Sequence, residues 1–186
     1  MAETLATLYL EDVAAQFRQL KGQADRALAQ VSDGDLVAVL DPQANSIAAL
    51  VRHVAGNLLS RWTDFLTSDG EKPDRDRDGE FVTPEEMRRE ELLAGWEAGW
   101  RCLFAALAEL SEDDLGKTVT IRAEPHSVPR AIHRQLTHQA YHVGQIVLLA
   151  KHFAAARWET LSIPRGKSRE HNARMFAAAG GPGPEK

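Results

Sequence analysis

The chain has 186 residues, 44% of them hydrophobic, and a formal net charge of −5. This length and composition predict one globular domain with a sizeable core. The acidic balance and the lack of a basic stripe exclude the usual nucleic-acid binder and disfavour membrane binding. The N-terminus has no signal-peptide pattern and Cys102 is the only cysteine, so we expect a cytoplasmic protein without an intrachain disulfide.

Four segments have the apolar spacing of amphipathic helices. The first two are predicted over about residues 4–31 and 45–67, the second with Asn45 or Ser46 as its N-cap. The third is predicted to begin at the capping sequence TPEE of residues 83–86, and the fourth to run from 127 or 128 to 153. Four such helices with little strand signal predict an all-α fold, a four-helix bundle.

The remaining segments are interpreted from their composition. Residues 69–79 are charged and rich in turn formers, and we interpret them as a solvated loop, with a cover over a site as the alternative. The alternating residues 117–122 favour a short strand or an extended link. We therefore predict a bundle domain over residues 4–155, a C-terminal extension over 156–179 that packs on or near the bundle, and a disordered tail over 180–186.

Histidines supply the strongest functional pattern. His138 and His142 are four residues apart on the fourth predicted helix, so their Cβ atoms lie about 5–6 Å apart on one face. Two imidazoles so placed can bind one ion, although this spacing alone is more often a polar helix face. His53 lies in the middle of the apolar second helix, where a hydrogen-bonded core histidine is the usual alternative. Bundle cores build metal sites from facing helices, so His53, His138 and His142 together predict a divalent-metal site. The other four histidines are interpreted as surface or structural residues: His126, His133, His152 and His171.

Three sequence runs carry a resemblance to a known family. They are HVAGNLLSRWTDFLTSDGEKP at 53–73, AYHVGQI at 140–146 and LSIPRG at 161–166. The chain resembles the DinB-like superfamily, which includes bacillithiol and other thiol S-transferases and proteins assigned as metal-dependent hydrolases, and it is most similar to a subfamily of unassigned activity. The resemblance implies a bundle with a crossover connection, often a homodimer. It also implies one divalent ion, zinc or nickel first, held by three histidines that carry over onto His53, His138 and His142.

Three protein ligands leave a coordination position open, which is typical of catalytic rather than structural zinc. Such an ion activates either a water or a thiol. The resemblance favours the thiol, so we expect a metal-dependent thiol S-transferase-like enzyme that takes a small-molecule substrate such as a low-molecular-weight thiol. The alternatives are a metal-dependent hydrolase and a non-catalytic metal-binding stress-response protein.

Asn57, Tyr141 and Gln145 are the candidate catalytic residues near the histidines. Asn57 and Gln145 are placed to orient a ligand or bind substrate, with a plain buried hydrogen bond as the alternative. Tyr141 is placed to donate to an anion or a leaving group, with a core aromatic as the alternative. No Asp or Glu lies one turn from the three histidines, so the pattern supplies no general base and weakens the hydrolase.

Two smaller expectations concern packing and charge. Gly56 and Gly144 are expected to allow close approach between helices. Arg61 and Asp64, three residues apart on the second predicted helix, are expected to form an ion pair.

Overall fold

The computed structural model describes residues 4–82 and 87–180. Most of this part of the chain is helical, which confirms the all-α prediction. Its α-helices are α1 (Leu5–Leu28), α2 (Asp33–Val37), α3 (Ile47–Trp62), α4 (Arg89–Glu109), α5 (Val128–Ala154) and α6 (Ser168–Ala178). Strands β1 (Thr118–Ile121) and β2 (Glu124–Ser127) form one antiparallel hairpin, and short 3₁₀ turns cover Gly79–Phe81, Glu112–Gly116 and Ala155–Arg157.

The four long helices form the bundle. Helix α3 packs against α4 and α5, and α1 packs against α5 and α4. The order of the helices around the bundle is therefore α1, α5, α3, α4. The links from α1 to α3 and from α4 to α5 each cross a diagonal, which is the crossover connectivity that the family resemblance implied. This order also makes α3 and α5, the two histidine-bearing helices, direct neighbours.

Aromatic side chains fill the centre of the bundle. Phe17, Trp96 and Trp100 are fully buried, and the Trp96 indole donates to Asp25 Oδ1 at 2.8 Å. The close contact between α3 and α4 depends on Gly99, where a Cβ would lie 2.9 Å from the backbone oxygen of Ala55.

The expectation for Gly56 and Gly144 is wrong. A Cβ at Gly144 would meet open space, whereas a Cβ at Gly56 would meet the Glu80 side chain, with the carboxyl carbon only 2.9 Å away. Neither glycine therefore serves helix–helix packing.

Helix α3 is shorter than its apolar pattern predicts. Ser46 is its N-cap and accepts from the Ala49 amide, as the sequence predicts. The helix ends at Trp62, and Asp64 has a positive φ of 50° that turns the chain. Phe65 is nevertheless buried against Trp62, so the apolar periodicity continues past the last helical turn. The predicted start of the third helix at residues 83–86 lies outside the described residues, and α4 begins at Arg89.

The hairpin contains one predicted strand and one that the sequence pattern missed. β1 lies within the predicted extended segment of residues 117–122, but β2, which includes Pro125 and His126, lies beyond that segment. The turn between the strands consists of Arg122 and Ala123, with φ of 56° and 61°. Such a two-residue turn strongly favours Asn-Gly. Asp69 holds this turn from outside the hairpin, because its carboxylate accepts from both turn amides at 2.8 Å.

Removal of the Asp69 carboxylate is expected to destabilise the fold in a pH-dependent way. Backbone amides, that of Glu71 first and then those of Ala123 and Arg122, lower the Asp69 pKa from 3.8 to about 2. We expect Asp69→Ala to lower the free energy of unfolding by about 1–2 kcal/mol at pH 7, since three amides lose an anionic acceptor but regain some water.

Because the folded-state pKa of Asp69 is lower than its unfolded-state pKa of 3.8, the ionised carboxylate stabilises the fold. This contribution is complete at pH values above 3.8 and is lost as the pH falls towards about 2. Urea unfolding from pH 7 to pH 3 should therefore show a constant gap in the free energy of unfolding between wild type and Asp69→Ala down to about pH 5. Below about pH 5 this gap should shrink. Asp12→Ala, at an exposed position on α1, is the control. A gap no larger than that of the control at pH 7 would contradict the role given to Asp69.

The chain after α5 contacts the bundle over a short stretch. Glu159 exchanges two hydrogen bonds with the Gln30 side chain, and Arg157 pairs with Asp35 at 3.3 Å. Helix α6 has no buried residue. The division at residue 155 stays a prediction, and most of the predicted tail, residues 181–186, lies outside the described residues. None of the helices described has the length and apolarity that crossing a bilayer requires.

Candidate metal centre

The structure brings the three predicted histidines together between α3 and α5. The ring centroids of His53 lie 5.2 Å from His138 and 4.8 Å from His142, and those of His138 and His142 are 4.6 Å apart. One ring nitrogen from each residue lies within 4.8 Å of the others. His53 and His142 are buried and His138 is half-buried, so the cluster lies at the edge of the core.

The nitrogen geometry fits a shared cation. The Nε2 atoms of His53 and His138 are 3.2 Å apart. Two nitrogens bound to one tetrahedral zinc at about 2.0–2.1 Å would lie roughly 3.3–3.4 Å from each other. Nδ1 of His53 donates to a carboxylate, so its Nε2 has a lone pair directed at His138. Without a cation, this contact needs a proton on His138 Nε2 that is donated to the His53 lone pair, whereas a cation between the two rings would bind both nitrogens.

The surroundings of His138 and His142 favour the neutral imidazole, which is the form that binds metals. Burial, followed by the neighbouring His142 and His53, lowers the pKa of His138 to about 3. Burial also lowers the pKa of His142, against the opposing effect of its hydrogen bond to Gln145.

Glu80 is the main residue of the site that the sequence pattern missed. Its carboxylate is buried and accepts from His53 Nδ1 at 2.8 Å. It also accepts from two nitrogens of Arg75, at 2.8 and 3.0 Å. Burial would raise the Glu80 pKa, but the hydrogen bonds from His53 and Arg75 lower it below its usual value. Helical spacing relates a histidine only to residues within a turn of it, whereas Glu80 enters from a connecting segment 27 residues after His53.

The segment before Glu80 is only partly the solvated loop that its composition indicates, because residues 73–74 and 76–78 are exposed whereas Gly70 is buried. The Arg75 side chain is only 5% exposed and pairs with both Glu71 and Glu80. Gly56, one turn after His53, leaves the space that the Glu80 carboxyl group occupies. A glycine at this position of α3 therefore indicates that a side chain from elsewhere packs against the helix here.

The three candidate catalytic residues have different surroundings. Gln145 Oε1 lies 3.0 Å from His142 Nδ1 and orients that ring. Asn57 is buried and accepts from Gln135 at 2.9 Å. Tyr141 is 65% exposed, so the interpretation as a core aromatic is wrong. Its ring lies against His142, with centroids 5.0 Å apart.

A cavity of about 440 Å³ opens beside His53 and His138, with Asn57 and Tyr141 in its lining. Its size suits a small ligand. The lining also includes five arginines: Arg61, Arg75, Arg77, Arg122 and Arg134. Arg61 pairs with Glu71 at 3.2 Å rather than with Asp64, so that expectation is wrong.

The other histidines lie away from this cluster. His126 is buried on β2, where its Nδ1 lies 3.0 Å from the carbonyl oxygen of Glu124. His133 is exposed on α5 and packs edge-on against Tyr9. His152 is exposed near the end of α5, and His171 is on α6.

Comparisons with known proteins identify the family. A search of curated proteins and a search of solved structures found no significant match. A family model with the description "Protein of unknown function (DUF1572)" matches residues 4–167. That range includes the bundle, the hairpin and all three clustered histidines. The chain belongs to the family of proteins of unknown function DUF1572.

Proposed function

We propose that this chain is a DinB-like, metal-dependent thiol S-transferase in which His53, His138 and His142 hold one divalent ion, zinc or nickel. The observation that carries the proposal is the orientation of the rings. Glu80 accepts a hydrogen bond from Nδ1 of His53, and Gln145 accepts one from Nδ1 of His142. The Nε2 atom of each ring is then left to bind an ion inside the cluster.

The residues around the histidines have separate tasks in this proposal. A divalent ion bound here supplies a Lewis acid that lowers the pKa of a thiol ligand. Glu80 and Gln145 fix the tautomers and ring orientations of their histidines, a role whose loss typically weakens metal binding by about 10–100-fold. The cavity beside His53 and His138 holds the substrate, and the exposed Tyr141 lies in its lining.

The same lining favours thiol transfer over hydrolysis. Its described residues include no Asp or Glu, and Glu80 is held on the Nδ1 side of His53 by Arg75. A hydrolase usually needs a base that positions water. Thiol transfer depends less on such a base, because the metal itself favours the thiolate.

The proposal predicts a thiol-dependent reaction with a generic electrophile. Zinc-loaded and nickel-loaded protein should accelerate the reaction of small thiols with monochlorobimane, in which a carbon–sulfur bond forms, chloride leaves and the thiol proton passes to solvent. Fluorescence of the thioether product reports the rate. The control is a variant with His53, His138 and His142 all replaced by alanine.

Two results would contradict this function. A rate no higher than that of the triple-histidine variant, across a panel of thiols and both metals, would count against thiol transfer. Turnover of an activated ester without any thiol, lost in the same variant, would favour the hydrolase instead.

A further inference from the structure

The cavity beside the histidines carries an excess of positive charge. Five arginines line it and the described lining residues include no carboxylate. Two carboxylates adjoin the arginines from behind. Glu71 lies 3.1–3.5 Å from Arg61, Arg75 and Arg122, and Glu80 pairs with Arg75. Five guanidinium groups therefore adjoin two carboxylates, and the Asp69 carboxylate on the Arg122 backbone amide is a third negative charge nearby. These charges still leave an excess of cations before any metal ion is added.

Arg61 is the cation of this group whose burial costs the most free energy. Its side chain is 8% exposed, and its Nη1 is buried without a hydrogen-bond partner among the described residues, although Glu71 lies at ion-pair distance. Burial lowers the Arg61 pKa to about 10, and the charges of Arg75, Arg122 and Arg134 act in the same direction against Glu71. Buried charges in proteins are normally paired and hydrogen-bonded, so the Nη1 group of Arg61 is suited to bind a group of a ligand.

Arg134 lies on the same face of α5 as His138, one turn earlier. It is exposed and makes no ion pair within the described ranges. Arg122 is half-exposed at the hairpin turn. These two arginines belong to separate elements, yet both line the same cavity as the buried Arg61. Guanidinium groups bind carboxylates and phosphates with two parallel hydrogen bonds.

We propose that this cavity is an anion-binding site, in which Arg61, Arg122 and Arg134 hold the carboxylate or phosphate groups of a small ligand beside the three histidines. The inference rests on the proposed function in one respect, since it names the class of substrate for the same cavity. A thiol or acceptor bearing two or more negative charges fits the excess of cations. A neutral ligand leaves Arg61 with Glu71 as its only ion-pair partner among the described residues.

The test measures anion binding directly. Isothermal titration calorimetry with inorganic phosphate and with succinate distinguishes the phosphate from the carboxylate source, and neutral succinamide is the ligand control. Each titration uses the full chain, both after chelation and after zinc loading, because phosphate also binds zinc itself. We expect saturable binding of at least one anion in both forms, no binding of succinamide, and weaker binding at high salt.

Matched variants locate the site. Arg134→Gln should weaken anion binding about tenfold or more, because it removes a charge-assisted hydrogen bond. Arg101→Gln makes the same charge change at an exposed position of α4 outside the cavity and should bind as wild type does. Arg61→Lys keeps the charge but loses the planar fork, and should weaken binding while thermal unfolding verifies that the variant is folded.

The outcomes separate this inference from the proposed function. Equal affinities for Arg134→Gln and Arg101→Gln would overturn the anion site, as would the absence of any binding tighter than about 10 mM. Thiol transfer by a protein that binds no anion would overturn the inference alone. Anion binding that depends on Arg134, in a protein without thiol transfer, would support the site while the proposed reaction fails.

Discussion

Glu80→Ala is expected to lower the free energy of unfolding by about 3 kcal/mol, because it leaves the buried Arg75 without its main partner. Arg75 makes its closest hydrogen bonds to Glu80, and its contact with Glu71 is longer, at 3.5 Å. The same substitution removes the acceptor for His53 Nδ1. We therefore also expect zinc affinity to fall by about 10–100-fold.

Urea unfolding of the metal-free protein and competition with a chelator measure the two effects separately. Glu80→Gln keeps an oxygen that can accept from His53 and should retain more zinc affinity than Glu80→Ala. Glu91→Ala removes a glutamate whose side chain is 68% exposed, and should change the unfolding free energy by no more than about 0.5 kcal/mol. If Glu80→Ala is as stable as Glu91→Ala, Arg75 and Glu80 do not form the buried pair described above.

His142→Ala is expected to lose the bound ion while the protein stays folded. The histidine supplies one of the three proposed ligands, and alanine favours the helical conformation at this position of α5. Metal content after zinc loading and gel filtration should fall from about one equivalent in wild type to less than about a tenth in the variant.

His133→Ala is the matched control for this measurement. It removes a histidine from the same helix, at an exposed position away from the cluster, and should retain the wild-type metal content. Full metal content in His142→Ala would remove that residue from the ligand set. An equal loss in both variants would indicate that the helix itself had been disturbed.

The bundle and the histidine cluster were predictable because both depend on periodicity. The spacing of His138 and His142 places them on one face of any α-helix, and His53 lies within an apolar helix that has to pack on others. Sequence spacing does not define which helices are neighbours. The resemblance to a known family implied a crossover connection without an order of helices, and the contacts in the structure put α3 beside α5.

The parts that were missed depend on contacts between distant residues. Glu80 reaches His53 from a connecting segment, and a charged segment with Arg75, Asp76 and Asp78 has the composition of a solvated loop. The Arg122-Ala123 turn lacks the usual turn residues because Asp69 satisfies its amides from outside the hairpin. In both cases a side chain that is distant in sequence makes the stabilising contact, so the local sequence does not indicate the structure.

The three-histidine site is tested most directly by X-ray absorption spectroscopy of the metal-loaded protein. We expect about one equivalent of zinc or nickel with three imidazole ligands, at about 2.0–2.1 Å for zinc, and at least one further light-atom ligand from solvent. In His53→Ala, His138→Ala and His142→Ala the imidazole signal should be lost together with the metal. A bound ion with fewer than three imidazoles in wild type, or less than about a tenth of an equivalent after loading, would contradict the site.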